Sequence, residues 1–223
     1  MKKIILFAIV VFVTTTSFIL SKNAVKSFAQ EENILEKVAN AHGLQNWANV
    51  EQIKFTFNVD RDTSHFERSW IWKPKTNDIT AITADEILEY NWADMDSVAY
   101  KTNGGFINDK FWLLAPFQLK WDANNITHEH ALSQEAPISK KTMQKLTIVY
   151  GSKGGYTPGD AYDFYFGDDF IIKEWVFRKA NQEEPSMITT FEDYKDTKGL
   201  KIATMHKMGE GNFKLYFTGV EVK

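Results

Sequence analysis

The chain has no cysteine among its 223 residues, and it carries no excess of positive charge. The absence of cysteine excludes a disulfide-stapled module, a thiolate metal site, a cysteine nucleophile and a lipid-modified N-terminal cysteine. The 26 basic and 29 acidic side chains give a formal net charge of −3, which argues against a nucleic-acid-binding protein. No nucleophile-elbow, P-loop or dinucleotide-binding motif occurs, so the sequence gives no positive indication of an enzyme.

What the chain does contain is enough apolar material for one sizeable core. Hydrophobic residues make up 43% of the sequence and aromatic residues 14%. These values are typical of an ordinary globular protein, and the length favours a single folded domain.

The first 29 residues have the pattern of a secretion signal. Two lysines precede ten uninterrupted apolar residues at positions 4–13, and Ser27 and Ala29 are the small residues that a signal peptidase reads. Ten apolar residues are far fewer than the roughly 20 that span a bilayer, although an uncleaved anchor is the alternative. We therefore expect a signal peptide at 1–29 and a single exported, periplasmic domain at 30–223. Cleavage removes four lysines and no acidic residue, which leaves a formal charge of −7.

Hydrophobic periodicity predicts one helix followed by a long series of strands. Apolar residues recur at helical spacing across 31–43, and the period changes to two beyond residue 50. A short apolar helix is expected at 109–115, broken before Pro116 and followed by extended chain, whereas 127–139 is expected to be irregular. The predicted strands cover residues 53–59, 66–72, 78–83, 97–102, 143–150, 161–166, 170–178, 187–194, 200–208 and 213–222. About eight to ten antiparallel strands then give an α+β protein built on one large, strongly curved sheet.

Several of these strands are apolar on both faces, as at 161–166 and 170–178. Such a sheet needs two covers, because neither face can be left to water. One cover is the N-terminal helix and its neighbours. The other is either a second layer of ordinary core or the wall of an apolar cavity.

Three segments together resemble the LolA-like superfamily. They are NDKFWLLAPF at 108–117, YTPGDAYDFY at 156–165, and a C-terminal group made of WVFR at 175–178, TFEDYK at 190–195 and GLKI at 199–202. The superfamily contains periplasmic proteins similar to the carrier that moves lipoproteins between the membranes of Gram-negative bacteria. The resemblance implies an incomplete antiparallel barrel whose open side is covered by the N-terminal helix and short helices. It also implies a hydrophobic cavity for acyl chains.

On this basis we predict a non-catalytic periplasmic protein that binds an apolar ligand, either a lipid or the acyl chains of a lipoprotein, without a cofactor. Large rigid rings can form an apolar wall, and the segment 106–117 could serve as a lid beside a Gly-Gly hinge. Each ring could equally fill a closed core. The candidate cavity residues are Trp70, Trp72, Phe111, Trp112, Phe117, Trp121, Tyr162, Phe164, Trp175 and Phe177.

The resemblance further implies an arginine that controls the lid near the cavity mouth. Arg61, Arg68 and Arg178 are the positions that could take this role, and the sequence does not choose among them.

Two other functions stay open at this point. His128 and His130 could place two imidazoles on one side of a strand, as in a metal-dependent envelope hydrolase, although a metal site needs further ligands. Alternatively, a closed core could bind nothing small, and the acidic surface could meet another envelope protein.

Overall fold

The computed structural model describes residues 33–223. The predicted signal peptide at 1–29 lies outside the described residues, so the division into a signal peptide and a domain at 30–223 stays a prediction.

The first helix, α1, spans Ile34–Ala41 and confirms the helix predicted from the apolar spacing. The Asn33 side chain caps it by accepting a hydrogen bond from the Glu36 amide, and Leu35 and Val38 are buried. The helix ends at His42, because Gly43 adopts a left-handed conformation with φ of 96° that starts a short 3₁₀ turn, Leu44–Asn49.

Thirteen strands follow in the described part of the chain, together with a second long helix, α2, at Ser97–Trp121. Two further 3₁₀ turns are found at Ala123–Asn125, directly after α2, and at Lys179–Asn181. The strands are β1 (Ile53–Arg61), β2 (Ser64–Lys73), β3 (Asp78–Ile82), β4 (Ile87–Asn91), β5 (Ile126–Glu135), β6 (Thr142–Tyr150), β7 (Ala161–Phe166), β8 (Ile172–Arg178), β9 (Met187–Thr190), β10 (Lys195–Thr197), β11 (Leu200–Ile202), β12 (Met205–Lys207) and β13 (Lys214–Val222).

The strands form two main antiparallel sheets. The first has the order β12-β13-β1-β2-β3-β4, the second has the order β5-β6-β7-β8-β9, and β10 pairs with β11 as a separate hairpin. A bridge between Glu192 and Met205 joins the region after β9 to β12. Together the two sheets form a curved surface that does not close into a barrel, and β4 and β5 lie at its two edges. The predicted α+β class with a strongly curved, open antiparallel sheet is therefore confirmed, with two sheets in place of one.

Helix α2 corrects the largest error of the sequence analysis. The strand predicted at 97–102 is wrong, because Asp96 caps a helix there by accepting from the Ala99 amide. The short helix at 109–115 and the extended chain after Pro116 are also wrong. Pro116 is tolerated because the helix kinks at Leu114, with φ of −123° and ψ of 21°, and then continues to Trp121.

A second error concerns 127–139, predicted to be irregular. Most of this segment belongs to β5, which pairs with β6 on both sides of a register shift between Ala131 and Gln134. As the edge strand of its sheet it is largely exposed, so it lacks the apolar alternation that marks a half-buried strand. In the described range 33–223, no helix combines the length and apolar character needed to cross a membrane.

Candidate functional site

Helix α2 lies between two separate hydrophobic cores. One face of the helix contributes Phe106, Leu113 and Phe117 to a core formed with the first sheet. The opposite face contributes Phe111 and other apolar residues to a core formed with the second sheet. The helix is thus buried on two sides and replaces the second layer that the two-faced strands require.

The ten predicted cavity residues are divided between these two cores. Trp70, Trp72 and Phe117 are buried in the first core and Trp121 packs against it, whereas Phe111, Tyr162, Phe164 and Trp175 are buried in the second and Phe177 packs against it. Trp112 touches both cores, and its ring centre is 4.5 Å from that of Trp175. Seven of the ten are covered by other side chains, since their exposed fractions are 5% or less.

An open pocket of about 600 Å³ lies beside the N-terminal half of α2. Trp70 and Ala81 contribute apolar surface from β2 and β3, and Val98, Thr102 and Gly105 contribute the helix side. The charged residues Arg68, Glu86 and Lys101 also line it. The volume is within the range of roughly 300–1,000 Å³ usual for small-molecule sites.

Sequence analysis found Trp70 but missed the helix side of this pocket. Val98, Thr102 and Gly105 are spaced by four and three residues, which is the spacing of one helical face. The sequence contains that signal, but the prediction of a strand at 97–102 leaves Gly105 beyond the end of the strand and so does not place it on one face with Val98 and Thr102.

Arg68 ties α2 to the first sheet at the edge of this pocket. Its Nε and a terminal nitrogen donate to the two carboxylate oxygens of Asp109, at 2.5 and 2.7 Å. The Asp109 side chain is fully buried, and it also accepts a hydrogen bond of 2.8 Å from the Trp70 indole nitrogen. Gly105 makes room for this arrangement, because a Cβ there would stand 2.6 Å from the guanidinium. Breaking such a buried pair by removing one partner costs about 3–5 kcal/mol.

Of the three candidate arginines, Arg68 is the one that the structure pairs with α2. Arg61 places its guanidinium 5.6 Å from the centre of the Phe213 ring. Arg178 donates to Asp163 at 2.7 Å within the second sheet. Among these three arginines, Arg68 is therefore the one that connects a strand of the first sheet to α2.

Lys110 points from α2 into a group of tryptophan rings. Its ammonium is within 5.5 Å of the ring centres of Trp72, Trp92 and Trp121. Burial lowers the pKa of Lys110 to about 8, with a smaller opposing effect from Asp122. The side chain is therefore mainly charged at neutral pH.

A buried histidine lies where the two sheets meet. His206 on β12 is fully buried, and its Nδ1 is 3.0 Å from the Thr190 carbonyl oxygen. Aromatic rings of Trp112, Phe191 and Phe217 surround it. Burial lowers the pKa of His206 to about 4, so the ring is neutral at pH 7.

His128 and His130 lie on β5 with their side chains on the same face, as their spacing predicts. Both are exposed, and the Nε2 atom of His130 is 2.9 Å from the Gln144 side-chain oxygen. Across residues 33–223, no cluster of three His, Asp or Glu side chains is arranged to hold a metal ion.

No protein-family model matches the sequence, and no curated protein matches it either. Among solved structures, a LolA superfamily protein from Nitrosomonas europaea is similar in fold, with a TM-score of 0.50 and 10% identity over 85% of this chain and 92% of that one. The resemblance to the LolA-like superfamily is thereby confirmed at the level of the fold.

Two other structures are similar to a lower degree. A DUF1329 family protein from Desulfovibrio piger has a TM-score of 0.48 and 9% identity over 86% of this chain and 94% of that one. An outer membrane lipoprotein-sorting protein domain from Vibrio parahaemolyticus has a TM-score of 0.46 and 10% identity, covering 85% and 93%.

Proposed function

We propose that this chain is an exported, periplasmic, non-catalytic binding protein for an apolar ligand, either a lipid or the acyl chains of a lipoprotein. The observation that carries the proposal is the position of α2. It is an apolar helix buried on two faces inside an unclosed sheet, and an open pocket lies beside its N-terminal half. The likeness in fold to a LolA superfamily protein supports the same function.

In the proposed mechanism, the part of α2 before Leu114 acts as a lid. The kink at Leu114 and the missing amide hydrogen of Pro116 weaken the helix at that point, so the preceding segment can turn outward. Outward movement would join the pocket beside α2 to the two cores. The eight predicted aromatic residues outside the moving segment, that is all ten except Phe111 and Trp112, would then line the space that this segment leaves.

The energies of opening and binding are of similar size. Opening separates Arg68 from Asp109, and it also takes Phe106, Phe111 and Leu113 out of the two cores at about 1.5–3 kcal/mol each. Burial of an alkyl chain returns about 0.8 kcal/mol per methylene, so roughly six to eleven buried methylenes offset the loss of these three contacts. The cost of opening would therefore favour chains of at least that length over short apolar molecules.

Uptake of the uncharged fluorescent probe N-phenyl-1-naphthylamine by the purified full chain tests this proposal. Val98→Glu places a carboxylate on the pocket wall, and because an uncharged apolar probe would have to displace water from that carboxylate we expect the variant to weaken uptake at least tenfold. Tyr100→Glu is the matched control, since Tyr100 is 73% exposed on the same helical turn. It should bind the probe as the wild type does.

Two outcomes would contradict the proposal: no saturable uptake by the wild type, or equal uptake by the wild type and Val98→Glu. The first would favour the scaffold alternative, in which a closed core binds nothing small. The close packing of seven of the ten candidate rings is the observation that supports this alternative.

A further inference from the structure

A lysine ammonium lies within a cage of three tryptophan rings, Trp72, Trp92 and Trp121. The Lys110 Nζ is 5.1 Å from the centre of the Trp92 ring, 5.4 Å from Trp72 and 5.5 Å from Trp121. Lys110 is 6% exposed, and none of the ion pairs within residues 33–223 includes it. The indole faces are thus its main electrostatic partners, with Asp122 acting over a longer distance.

The cage and its occupant belong to parts of the fold that the proposed opening would separate. Trp72 is in β2, and Trp92 directly follows β4 in the same sheet. Trp121 is the last residue of α2, beyond the kink at Leu114, whereas Lys110 precedes that kink. Outward movement of the N-terminal part of α2 would withdraw the ammonium and leave the three rings in place.

An unoccupied cage of this kind favours another cation over an anion or a neutral group. The negative faces of indole rings attract ammonium groups, and quaternary ammonium ligands are bound in proteins by such aromatic cages. The cage also adjoins the first core, because Trp72 is a member of that core and Trp92 and Trp121 pack against it. A chain in the core could therefore carry its head group into the cage.

We infer that the apolar ligand is a lipid with an alkylammonium head group, for which Lys110 is the built-in competitor in the closed state. The inference rests on the proposed function, because it needs the same opening of α2. It adds a head-group class to a site otherwise defined by apolar surface. Both a primary ammonium, as in ethanolamine lipids, and a quaternary ammonium, as in choline lipids, have this chemistry.

The test is displacement of N-phenyl-1-naphthylamine from the full chain by three lysophospholipids with the same acyl chain. They carry choline, ethanolamine or glycerol as the head group, and all are used as monomers. We expect the choline and ethanolamine lipids to displace the probe at roughly tenfold lower concentration than the glycerol lipid, as one cation–π cage would give. The difference between the first two identifies the preferred ammonium.

Three variants separate the cage from the apolar site. Trp92→Leu should reduce the head-group preference to less than about threefold and keep probe uptake. Trp47→Leu is the matched control, because the Trp47 ring packs on Trp72 and Trp121 but is no member of the cage. Lys110→Met removes the competing charge while keeping an unbranched apolar side chain, so it should strengthen binding of the two ammonium lipids several-fold.

Equal displacement by all three lipids, with normal probe uptake, would overturn the head-group inference and leave the proposed function intact. The head-group inference would also be overturned if Trp92→Leu kept as strong a preference for the ammonium lipids as Trp47→Leu does. Absence of probe uptake in the wild type would overturn both proposals together.

Discussion

Replacement of His206 by phenylalanine should change how the stability of the protein depends on pH. The folded chain keeps His206 neutral down to about pH 4, whereas the unfolded chain takes up the proton near pH 6.5. Between these values the unfolded state binds more protons, so the free energy of unfolding falls as the pH falls. At 1.36 kcal/mol per pKa unit, the loss for this one group is about 2.5 kcal/mol by pH 4.5.

The variant removes this contribution and also removes one hydrogen bond. At pH 7 the lost contact with the Thr190 carbonyl should make His206→Phe less stable than the wild type by about 1 kcal/mol. At pH 4.5 the order should reverse, and the variant should be the more stable by about 1.5 kcal/mol. Burial also lowers the pKa of His42 to about 4. Its effect on the free energy of unfolding is the same in the wild type and the variant, so it cancels in the difference between them.

Urea unfolding at pH values from 7 to 4.5 measures this difference directly. His128→Gln is the control, because His128 is exposed on β5, and it should follow the wild-type profile. A constant stability difference between His206→Phe and the wild type over the whole range would refute the reasoning. It would mean that water reaches the ring in the folded state.

The remaining predictions concern the contact between Arg68 and α2. Asp109→Leu should lower the free energy of unfolding by about 3–5 kcal/mol, because it leaves a guanidinium and the Trp70 indole nitrogen without their acceptor. The double variant Arg68→Met/Asp109→Leu should recover most of that loss. Urea unfolding that shows a cost below about 1 kcal/mol for the single variant would contradict the stabilising role of the Arg68–Asp109 pair. Gly104→Ala and Gly105→Ala should have opposite effects although the two glycines are adjacent. A Cβ at position 104 meets nothing within 4 Å, so Gly104→Ala should stabilise the helix by up to about 1 kcal/mol. A Cβ at position 105 would stand 2.6 Å from the Arg68 guanidinium, so Gly105→Ala should destabilise the protein. Thermal unfolding of both variants measures these effects, and stabilisation by both would show that Arg68 moves away at little cost.

The strands that alternate clearly between apolar and polar residues could be predicted from sequence. In β1, Ile53, Phe55 and Phe57 are buried and alternate with less buried polar residues, so its period of two is visible. The hairpin with β2 follows from the same signal, whereas β7, which is buried on both faces, is bounded in the sequence by the turn residues beside it. In these strands, the residues that the sequence pattern predicts to be buried are the ones that the folded protein buries.

The helix between the two cores could not be predicted in the same way. Apolar residues occur on two of its faces, so no one-sided helical period marks it, and Gly104 and Gly105 suggest a turn. The Gly105 carbonyl accepts a hydrogen bond from Arg68, which is 37 positions away in sequence, so this contact is not visible in the local pattern. The sequence analysis named aromatic residues that the structure largely buries, but their division between two sides of α2 is a tertiary property.

Helix α2 is fixed to the fold at both ends, because it follows β4 and precedes β5 in the chain. These two strands are the outer edges of different sheets. Outward movement of the segment before Leu114 must therefore pull on the chain that joins it to β4, as well as bend the helix at its kink. Under the proposed opening, binding of a ligand would therefore be transmitted to the edge strand β4, which directly precedes the moving segment. If the proposed function holds, a partner that binds the β4 edge would meet a different surface when a ligand is bound.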